Sequence, residues 1–349
     1  MGRNYLTYYR WVDVAKGIGI LCVVFGHAVN QINIENISNN LSFLRSMVYS
    51  FHIPLFFFIS GVLLSINISW KEFIQKKVNR LIIPYFLNFL VISLTLCVTY
   101  YLLQFPHSFS WFNYVKAMIY GTIGQFMYQT GTNILNPLWF LPSLLLALII
   151  GKFLLDIINL DFLLGLILVI IIVGIGYNIA LQSIHLPWGL DIALVMQIFI
   201  IPGYFFKKLH YSQIERPSIL IFVLSMIGFF FSFNINGGIE SSQALFNNFY
   251  FFWLTAICAS LAIYCLSAYL VHFSLIEKIL SYFEKNSLVI LCFHMVANIV
   301  IIYIAGLFPQ IMEIYYSNIY FEFTFMLVIS MVFIQIINKI PIMNRLFQL

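Results

Sequence analysis

Three ionisable side chains interrupt an apolar stretch near the N-terminus, and they are the residues best placed to do chemistry. Asp13, Lys16 and His27 lie in the run RWVDVAKGIGILCVVFGHA. At ~100° per helical residue, Lys16 and His27 fall within about 20° of each other and Asp13 about 40° from His27. The three therefore form one polar stripe along a helix. Because ionisable groups in an apolar helix are costly, this stripe is a candidate functional site.

The stripe reaches two depths. A rise of ~1.5 Å per residue separates Lys16 from His27 by about 16 Å along the helix axis. A histidine is largely neutral near pH 7 and can accept a proton, which makes His27 a candidate for acid–base chemistry. Two structural interpretations stay open. Asp13 and Lys16 can form a local i,i+3 pair at the membrane surface, and His27 can bond to a neighbouring helix.

Other candidates lie further along the chain. His52 opens the run FHIPLFFFISGVLL and is expected near the outer membrane boundary, while Ser60 in the same run permits close helix approach. His294, in NSLVILCFHMVAN, is expected in the inner half of its helix. Trp139, in PLWFLPSLLLA, is typical of an aromatic belt at the membrane interface.

A basic cluster follows the second apolar run. The segment KEFIQKKVNRLIIPY contains Lys71, Lys76, Lys77 and Arg80. Such a cluster binds anionic lipid headgroups or fixes topology. It can equally hold the phosphates of a nucleotide-like ligand, because basic side chains form charge-assisted hydrogen bonds to phosphate oxygens.

Several familiar catalytic patterns are absent from the sequence. There is no HExxH zinc motif, no Walker glycine loop, no CxxC pair and no GxSxG elbow. The five cysteines lie in apolar runs without metal-ligand spacing, so they are expected to be small buried apolar residues. The sequence thus favours a histidine-centred site without a metal, or no catalytic site.

The elements that position these residues must lie in a membrane. Of the 349 residues, 62% are hydrophobic and only 8% are charged, with a mean hydropathy of +0.97. A soluble domain is about 25% charged. Ten runs are long enough to span a bilayer core, at residues 11–31, 50–68, 82–104, 138–158, 162–181, 189–206, 218–233, 249–272, 287–308 and 320–338.

The basic residues support this count, because they alternate between the two sides. Of the 17 Lys and Arg residues, only Arg45 and Lys116 fall in loops on one side, and Lys16 lies within the first run. The side rich in Lys and Arg is cytoplasmic, which places both termini in the cytoplasm. The net charge of +5 therefore reflects topology, and no nucleic-acid partner is expected. The segment Trp111 to Tyr128 is too short and interrupted to span, and we expect it to be interfacial or re-entrant.

In these pieces and their order, the sequence resembles membrane-bound acyltransferase family 3, the bacterial O-acyltransferases of sugars and cell-wall polymers. The resemblance rests on Lys16 and His27 with ten residues between them, on FHIPLFFFISGVLL, and on Lys77 and Arg80 before Pro84. LWFLPSLLLA and the late ILCFH complete it. The pieces extend over nearly the whole chain.

Two departures from the family pattern are visible. Lys77 stands where many members carry arginine, and the LWFLPS segment lacks the glutamates that follow the tryptophan in one large branch. The pattern is closer to the branch of fucose O-acetylases. We expect residues 1–349 to form one transmembrane acyltransferase domain without an SGNH-type or other soluble domain.

The resemblance implies an enzyme of the bacterial cytoplasmic membrane that moves an acetyl group from cytoplasmic acetyl-CoA to a hydroxyl of a glycan or lipid-linked glycan. It implies no metal, and it makes membrane lipids and further copies of the chain candidate partners. His27 would be the general base or a transient acyl acceptor, supported by Asp13 and Lys16. Contacts to CoA phosphates would come from Arg80, Lys77 and Lys76. Substrate or supporting contacts would come from His52, Trp139, His294 and Ser60.

Two other function classes stay open. A transporter or flippase for a lipid-linked sugar would use the buried charges as substrate or proton sites. Against it, the sequence shows no inverted repeat and no matching pair of broken helices. A receptor or assembly factor would use the same charges only for packing.

Overall fold

The computed structural model describes residues 9–31, 38–103, 111–121, 136–209, 219–308 and 310–347. These residues form helices joined by short connections, and within them the β-structure amounts to one isolated bridge between Glu240 and Leu245. The prediction of an all-α polytopic membrane protein is confirmed.

The first half of the chain contributes helices α1 to α10. Their bounds are α1 Arg10–Gln31, α2 Asn39–Tyr49, α3 His52–Val62, α4 Trp70–Lys77, α5 Ile83–Leu103, α6 Trp111–Tyr120, α7 Phe140–Leu160, α8 Phe162–Leu181, α9 Leu190–Val195 and α10 Gln197–Leu209. A π-helical turn, Val78–Ile82, joins α4 to α5.

The second half contributes helices α11 to α18. Their bounds are α11 Ile219–Asn236, α12 Phe249–Leu270, α13 Ser274–Lys285, α14 Ser287–Phe293, α15 Ala297–Leu307, α16 Gln310–Ser317, α17 Ile319–Lys339 and α18 Pro341–Phe347. One 3₁₀ turn, His294–Val296, joins α14 to α15.

Polar side chains fix where several helices begin. Ser38 accepts a hydrogen bond from the Leu41 amide at the start of α2, and Asp161 accepts one from Leu164 at the start of α8. Asn248 and Asn318 cap α12 and α17 in the same way. Each cap pairs an amide that the helix itself leaves without a partner.

Eight helical segments in the described residues are long and apolar enough to cross a membrane, and two bent pairs raise the number to ten. The bent pairs are Pro187–Val195 with Gln197–Leu209 and Ser274–Lys285 with Ser287–Ile301, each bent by 57°. The predicted count of about ten spans agrees with this range.

Three of the helical segments that carry predicted spans begin earlier than expected. The segments that carry the second and third spans begin at Asn39 and Trp70 rather than at residues 50 and 82, and the bent pair that carries the ninth begins at Ser274 rather than at residue 287. In each case an amphipathic helix continues the apolar run, and its polar face hid the continuation. The predicted interfacial segment begins as α6, which at ~15 Å is too short to cross a ~30 Å core. Residues 122–128 of that segment lie outside the described residues.

The helices form a central group with an outer layer. Helices α1 and α7 are central, with 61% and 78% of their spanning windows buried, whereas α8, α11 and α17 are mostly exposed. Gly61 of α3 and Gly203 of α10 lie against backbone carbonyls of the other helix, at Ile200 and Phe58. Close approach at these two glycines holds α3 next to the centre of the bundle.

Candidate functional site

Helix α1 carries the polar stripe through the centre of the bundle. The apolar residues flanking the stripe are buried, as at Val14, Ala15 and Val24. At Gly17 the backbone of α1 touches the Leu280 carbonyl of α13, so these helices lie in direct contact along the first turns of α1. The stripe therefore faces a crowded protein interior.

Lys16 is paired with a residue that the sequence did not single out. Its ammonium donates a hydrogen bond to a carboxylate oxygen of Glu284, on α13. Arg10 makes a second link between the same two helices, since its guanidinium donates to both oxygens of Glu277, at 2.6 and 2.5 Å. The amphipathic α13 thus brings its acidic residues to the basic side chains of α1. Asp13 is half-buried on α1.

A cavity of about 170 Å³ opens beside Lys16. Lys16, Lys77 and Arg80 lie around its charged end, and Ser60 lines it further along. The rest of the wall is apolar and comes mainly from α1, α3, α7 and α14, through residues such as Val23, Ile53, Phe56, Phe140, Leu144 and Leu291. We call it the basic cavity. It combines a cationic mouth with an apolar shaft.

Arg80 reaches this mouth from the π-helical turn. Pro84, in the first turn of α5, has no N–H with which to pair the Arg80 carbonyl. The chain widens at this point, and the Ile83 amide bonds to Val78, five residues earlier. Such single π-turns within helices occur frequently at functional sites. The residues between the basic cluster and the proline thus set the direction of Arg80.

Lys76 does not join the other two cluster residues. It is exposed on α4 and pairs with Glu72 at 2.7 Å, as an ordinary i,i+4 surface pair. It lies outside the residues that line the basic cavity. Lys77, the next residue, is half-buried and its ammonium lies 5.7 Å from the centre of the Phe73 ring. One helical step of 100° separates a surface lysine from a cavity lysine.

The basic cavity ends next to three histidines. Its lining residues Val23, Ile53 and Leu291 lie four, one and three residues from His27, His52 and His294. The rings of His27 and His294 are 5.2 Å apart. His27 also lies close enough to His52 to interact with it electrostatically.

One predicted position is therefore wrong. We expected His294 in the inner half of the bundle, away from His27, but the two rings are 5.2 Å apart. His52, expected near the outer boundary, lies close to His27 and is buried in the bundle.

Hydrogen bonds define the tautomers of two of these histidines. His52 Nδ1 lies 2.9 Å from the Val48 carbonyl and His294 Nδ1 lies 2.8 Å from the Ile290 carbonyl. Since a carbonyl only accepts, each Nδ1 donates and each Nε2 carries the lone pair. His294 Nε2 is buried without a hydrogen-bond partner among the described residues. His27 stays partly exposed.

Ser60 and Trp139, the two remaining candidates, lie in different surroundings. Ser60 lines the basic cavity, while the neighbouring Gly61 makes the close contact with α10. Trp139 is 5% exposed and packs edge-on against Phe140 inside the bundle. The expectation of an interfacial belt residue is wrong for Trp139, because the 3₁₀ turn Asn136–Trp139 directs it inward.

At the other end of α1 lies a polar group that sequence analysis missed. Asn30, one turn beyond His27, donates to the Tyr49 hydroxyl at 2.6 Å and accepts a hydrogen bond from Arg45 Nε. The Arg45 guanidinium lies over the Tyr49 ring at 4.3 Å, and the same ring contacts His52 at 5.0 Å. Arg45 was interpreted only as a topology marker.

The arrangement suits one kind of chemistry. The basic mouth can bind an anionic head group, the apolar shaft can hold a slender arm, and the imidazoles at its end can accept a proton. Within the described residues no group of three or more His, Cys, Asp or Glu side chains is placed to hold a metal ion.

Comparison with known proteins gives one match. A family model described as an acyltransferase domain matches residues 9–339, which include every candidate residue named above. No curated protein and no solved structure matches the chain.

Proposed function

Because this chain belongs to membrane acyltransferase family 3, we propose that it is an O-acetyltransferase of the bacterial cytoplasmic membrane. The acetyl group comes from acetyl-CoA, and the acceptor is a hydroxyl of a glycan or lipid-linked glycan. A transporter without acyl chemistry is disfavoured by the family.

The basic cavity is the observation that carries this proposal. Acetyl-CoA is an anionic nucleotide joined to a long, slender, uncharged arm that ends in a thioester. Arg80, Lys77 and Lys16 surround one end of the cavity and suit the phosphates, since basic side chains form strong bonds to phosphate oxygens. The apolar shaft suits the arm. The ~16 Å rise from Lys16 to His27 matches the order of length of that arm.

In the proposed reaction His27 acts as the general base. It takes the proton of the acceptor hydroxyl as the oxygen attacks the thioester carbonyl, so that the O–H bond breaks and the O–C bond forms. The C–S bond then breaks, and the CoA thiolate takes the proton from the imidazolium. His294 and His52, with Nδ1 held by backbone carbonyls, surround His27 with neutral imidazoles.

The charge distribution supports a cytoplasmic donor side. Lys77 and Arg80 lie in the helical connection between the second and third predicted spans, one of the connections rich in Lys and Arg that remain in the cytoplasm during insertion. In this orientation both termini and the basic mouth are cytoplasmic. The polar group at Asn30 and Arg45 then faces the outside, where surface glycans are modified.

A label-transfer assay tests the proposed function. Purified protein in lipid nanodiscs is incubated with radiolabelled acetyl-CoA and with lipid-linked glycans extracted from a bacterial envelope. We expect CoA release and label in the glycan fraction, both removed by heat denaturation. Binding of the glycans with no CoA release and no acetyl transfer would contradict the enzyme and support transport.

A further inference from the structure

A second cavity lies at the opposite end of α1 from the basic cavity. It has a volume of about 240 Å³ and lies between α2 and residues 237–248, the connection from α11 to α12. Its wall includes Arg45, Ser46 and Tyr49 on one side and Glu240 and Asn247 on the other. We call it the loop cavity.

The connection that closes this cavity is held in one shape. Glu240 and Leu245 exchange two backbone hydrogen bonds of 3.0 Å, and Ala244 between them adopts a left-handed conformation, with φ 54°. Asn247 Nδ2 donates to the carbonyls of Asn236 and Gly238, at 2.9 and 3.0 Å. A cavity wall fixed by its own hydrogen bonds is pre-organised for a ligand.

Arg45 and Glu240 face each other across the loop cavity. Arg45 Nη2 and Glu240 Oε2 are 3.8 Å apart, which is an ion pair but is too long for a direct hydrogen bond. Ser242 donates to Glu240 Oε1 at 2.5 Å, and Asn30 orients the Arg45 fork through Nε. The pair therefore presents a positioned donor and a positioned acceptor close together on the cavity wall. Burial raises the pKa of the Glu240 carboxyl.

The loop cavity connects to the histidines through one aromatic side chain. Tyr49 lines the cavity, bonds to Asn30, packs against Gly26 beside His27, and contacts the His52 ring. Arg45 also lies within electrostatic range of His27. A ligand in the loop cavity would thus lie on the far side of the histidines from the basic cavity.

We propose that the loop cavity binds the acceptor of the reaction, and that this acceptor is a neutral sugar ring. Vicinal hydroxyls would accept from Arg45 and donate to Glu240. A carboxylate bound to Arg45 would lie next to the Glu240 carboxylate, and an amine bound to Glu240 would lie next to the Arg45 guanidinium, so repulsion from the like charge offsets the gain in each case. This inference rests on the proposed function, because it assigns the acceptor to the same reaction.

Direct binding of simple sugars tests the inference. Saturation-transfer NMR would compare methyl glucoside and methyl fucoside, which are neutral, with methyl glucuronide and methyl glucosaminide. Three proteins in nanodiscs are compared, namely the wild type and the variants Glu240→Gln and Arg45→Gln. Glu240→Gln keeps an acceptor for Ser242 and the shape of the side chain, so it separates charge from folding. Glu313→Gln, at an exposed glutamate of α16, is the matched control.

We expect a neutral glycoside to bind the wild-type protein and to bind each cavity variant about fivefold more weakly or worse, since each lost hydrogen bond to a charged group has at least that effect. The Glu313→Gln protein should match wild type. The inference is overturned if neither neutral glycoside binds, if a charged glycoside binds better, or if the cavity variants bind as wild type does.

Calorimetry with acetyl-CoA on the same samples keeps the two proposals apart. Failure of acetyl-CoA to bind, with neutral glycosides bound at the loop cavity, would remove the proposed donor and leave the sugar site standing. If acetyl-CoA binds, but the Arg45 and Glu240 variants bind sugar as tightly as wild type does, the proposed sugar site is wrong and the proposed donor stands.

Discussion

The two cavities at the ends of α1 differ in the ligands that they can bind. The basic cavity has three cationic side chains at its mouth and an apolar wall, whereas the loop cavity has one cation, one anion and an amide. The first suits an anionic head with a long arm, and the second suits a compact ligand with several hydroxyls. The difference indicates that one helix can serve two substrates that enter from opposite sides of a membrane, with His27 between them.

The largest expected effect comes from His27, the proposed general base between the two cavities. His27→Ala should lower acetyl transfer by ~10²–10⁴-fold, as the loss of a positioned general base does. Acetyl-CoA binding and neutral-sugar binding should each remain, because neither cavity is lined by His27. The measurements are transfer rate and the two binding affinities, with His272→Ala, at an exposed histidine, as the control.

Variants of His27 and His294 also show which of these two neighbouring histidines acts as the base. His294 lies beside His27, so activity that survives in His27→Ala but disappears in His294→Ala would assign the base to His294. That outcome would contradict the role of His27 and would leave the two-cavity arrangement unchanged.

The second-largest expected effect is on the binding of the donor alone, and it comes from Arg80. Arg80→Ala should weaken acetyl-CoA binding by about 10- to 100-fold, because hydrogen bonds to charged groups contribute ~1.5–3 kcal/mol. Arg80→Lys should recover part of this, since an ammonium lacks the planar fork. Calorimetry measures the affinity, and Lys76→Ala, at the surface lysine paired with Glu72, is the control. Equal affinities in Arg80→Ala and wild type would show that the cluster serves topology or lipid alone.

A glycine substitution should disturb one cavity and spare the other. In Gly17→Ala the new methyl group would overlap the Leu280 carbonyl, pushing α13 and Glu284 away from α1 and Lys16. Overpacking of this kind costs ~1–3 kcal/mol. We expect lower thermal stability and weaker acetyl-CoA binding with sugar binding retained. Gly174→Ala, whose methyl group meets nothing within 4 Å, is the matched control. Equal weakening of acetyl-CoA binding and of sugar binding would show that the two cavities are not independent.

The smallest expected effect is a pH dependence at the loop cavity. Because burial raises the pKa of Glu240, its carboxylate is lost at a higher pH than that of an exposed glutamate. Sugar binding should therefore weaken, by up to about fivefold, as the pH falls from 7 towards 5. A raised carboxyl pKa does not destabilise the fold on acidification, so this loss is separable from unfolding. NMR measurements of sugar affinity at several pH values check this prediction. If the affinity of the Glu240→Gln variant falls with pH as that of wild type does, Glu240 is not the group responsible.

Much of the basic cavity could be predicted from sequence, because its signals are local. Charges that are costly in an apolar helix marked Lys16 and His27, and the cluster before Pro84 marked Lys77 and Arg80. The alternation of basic loops then gave the span count. That Lys76 lies outside the basic cavity could not be predicted, because its direction depends on one helical step of rotation within the cluster.

The loop cavity could not be predicted, because it depends on contacts between distant segments. Arg45 and Glu240 are separated by more than half the length of the chain, and each lies in an unremarkable polar stretch. The closeness of His294 to His27 could not be predicted for the same reason, because the two residues lie near opposite ends of the chain.

The central claim is that the donor and the acceptor reach His27 from opposite sides of one membrane. Sealed vesicles that hold the protein in a single orientation test this claim. Radiolabelled acetyl-CoA is supplied on one side of the membrane, and the neutral methyl glycosides are supplied either on the other side or on the same side. We predict acetylated glycoside only when acetyl-CoA is on the side of the basic cavity and the glycoside is on the side of the loop cavity. Product formed when both are confined to the same side would contradict the claim.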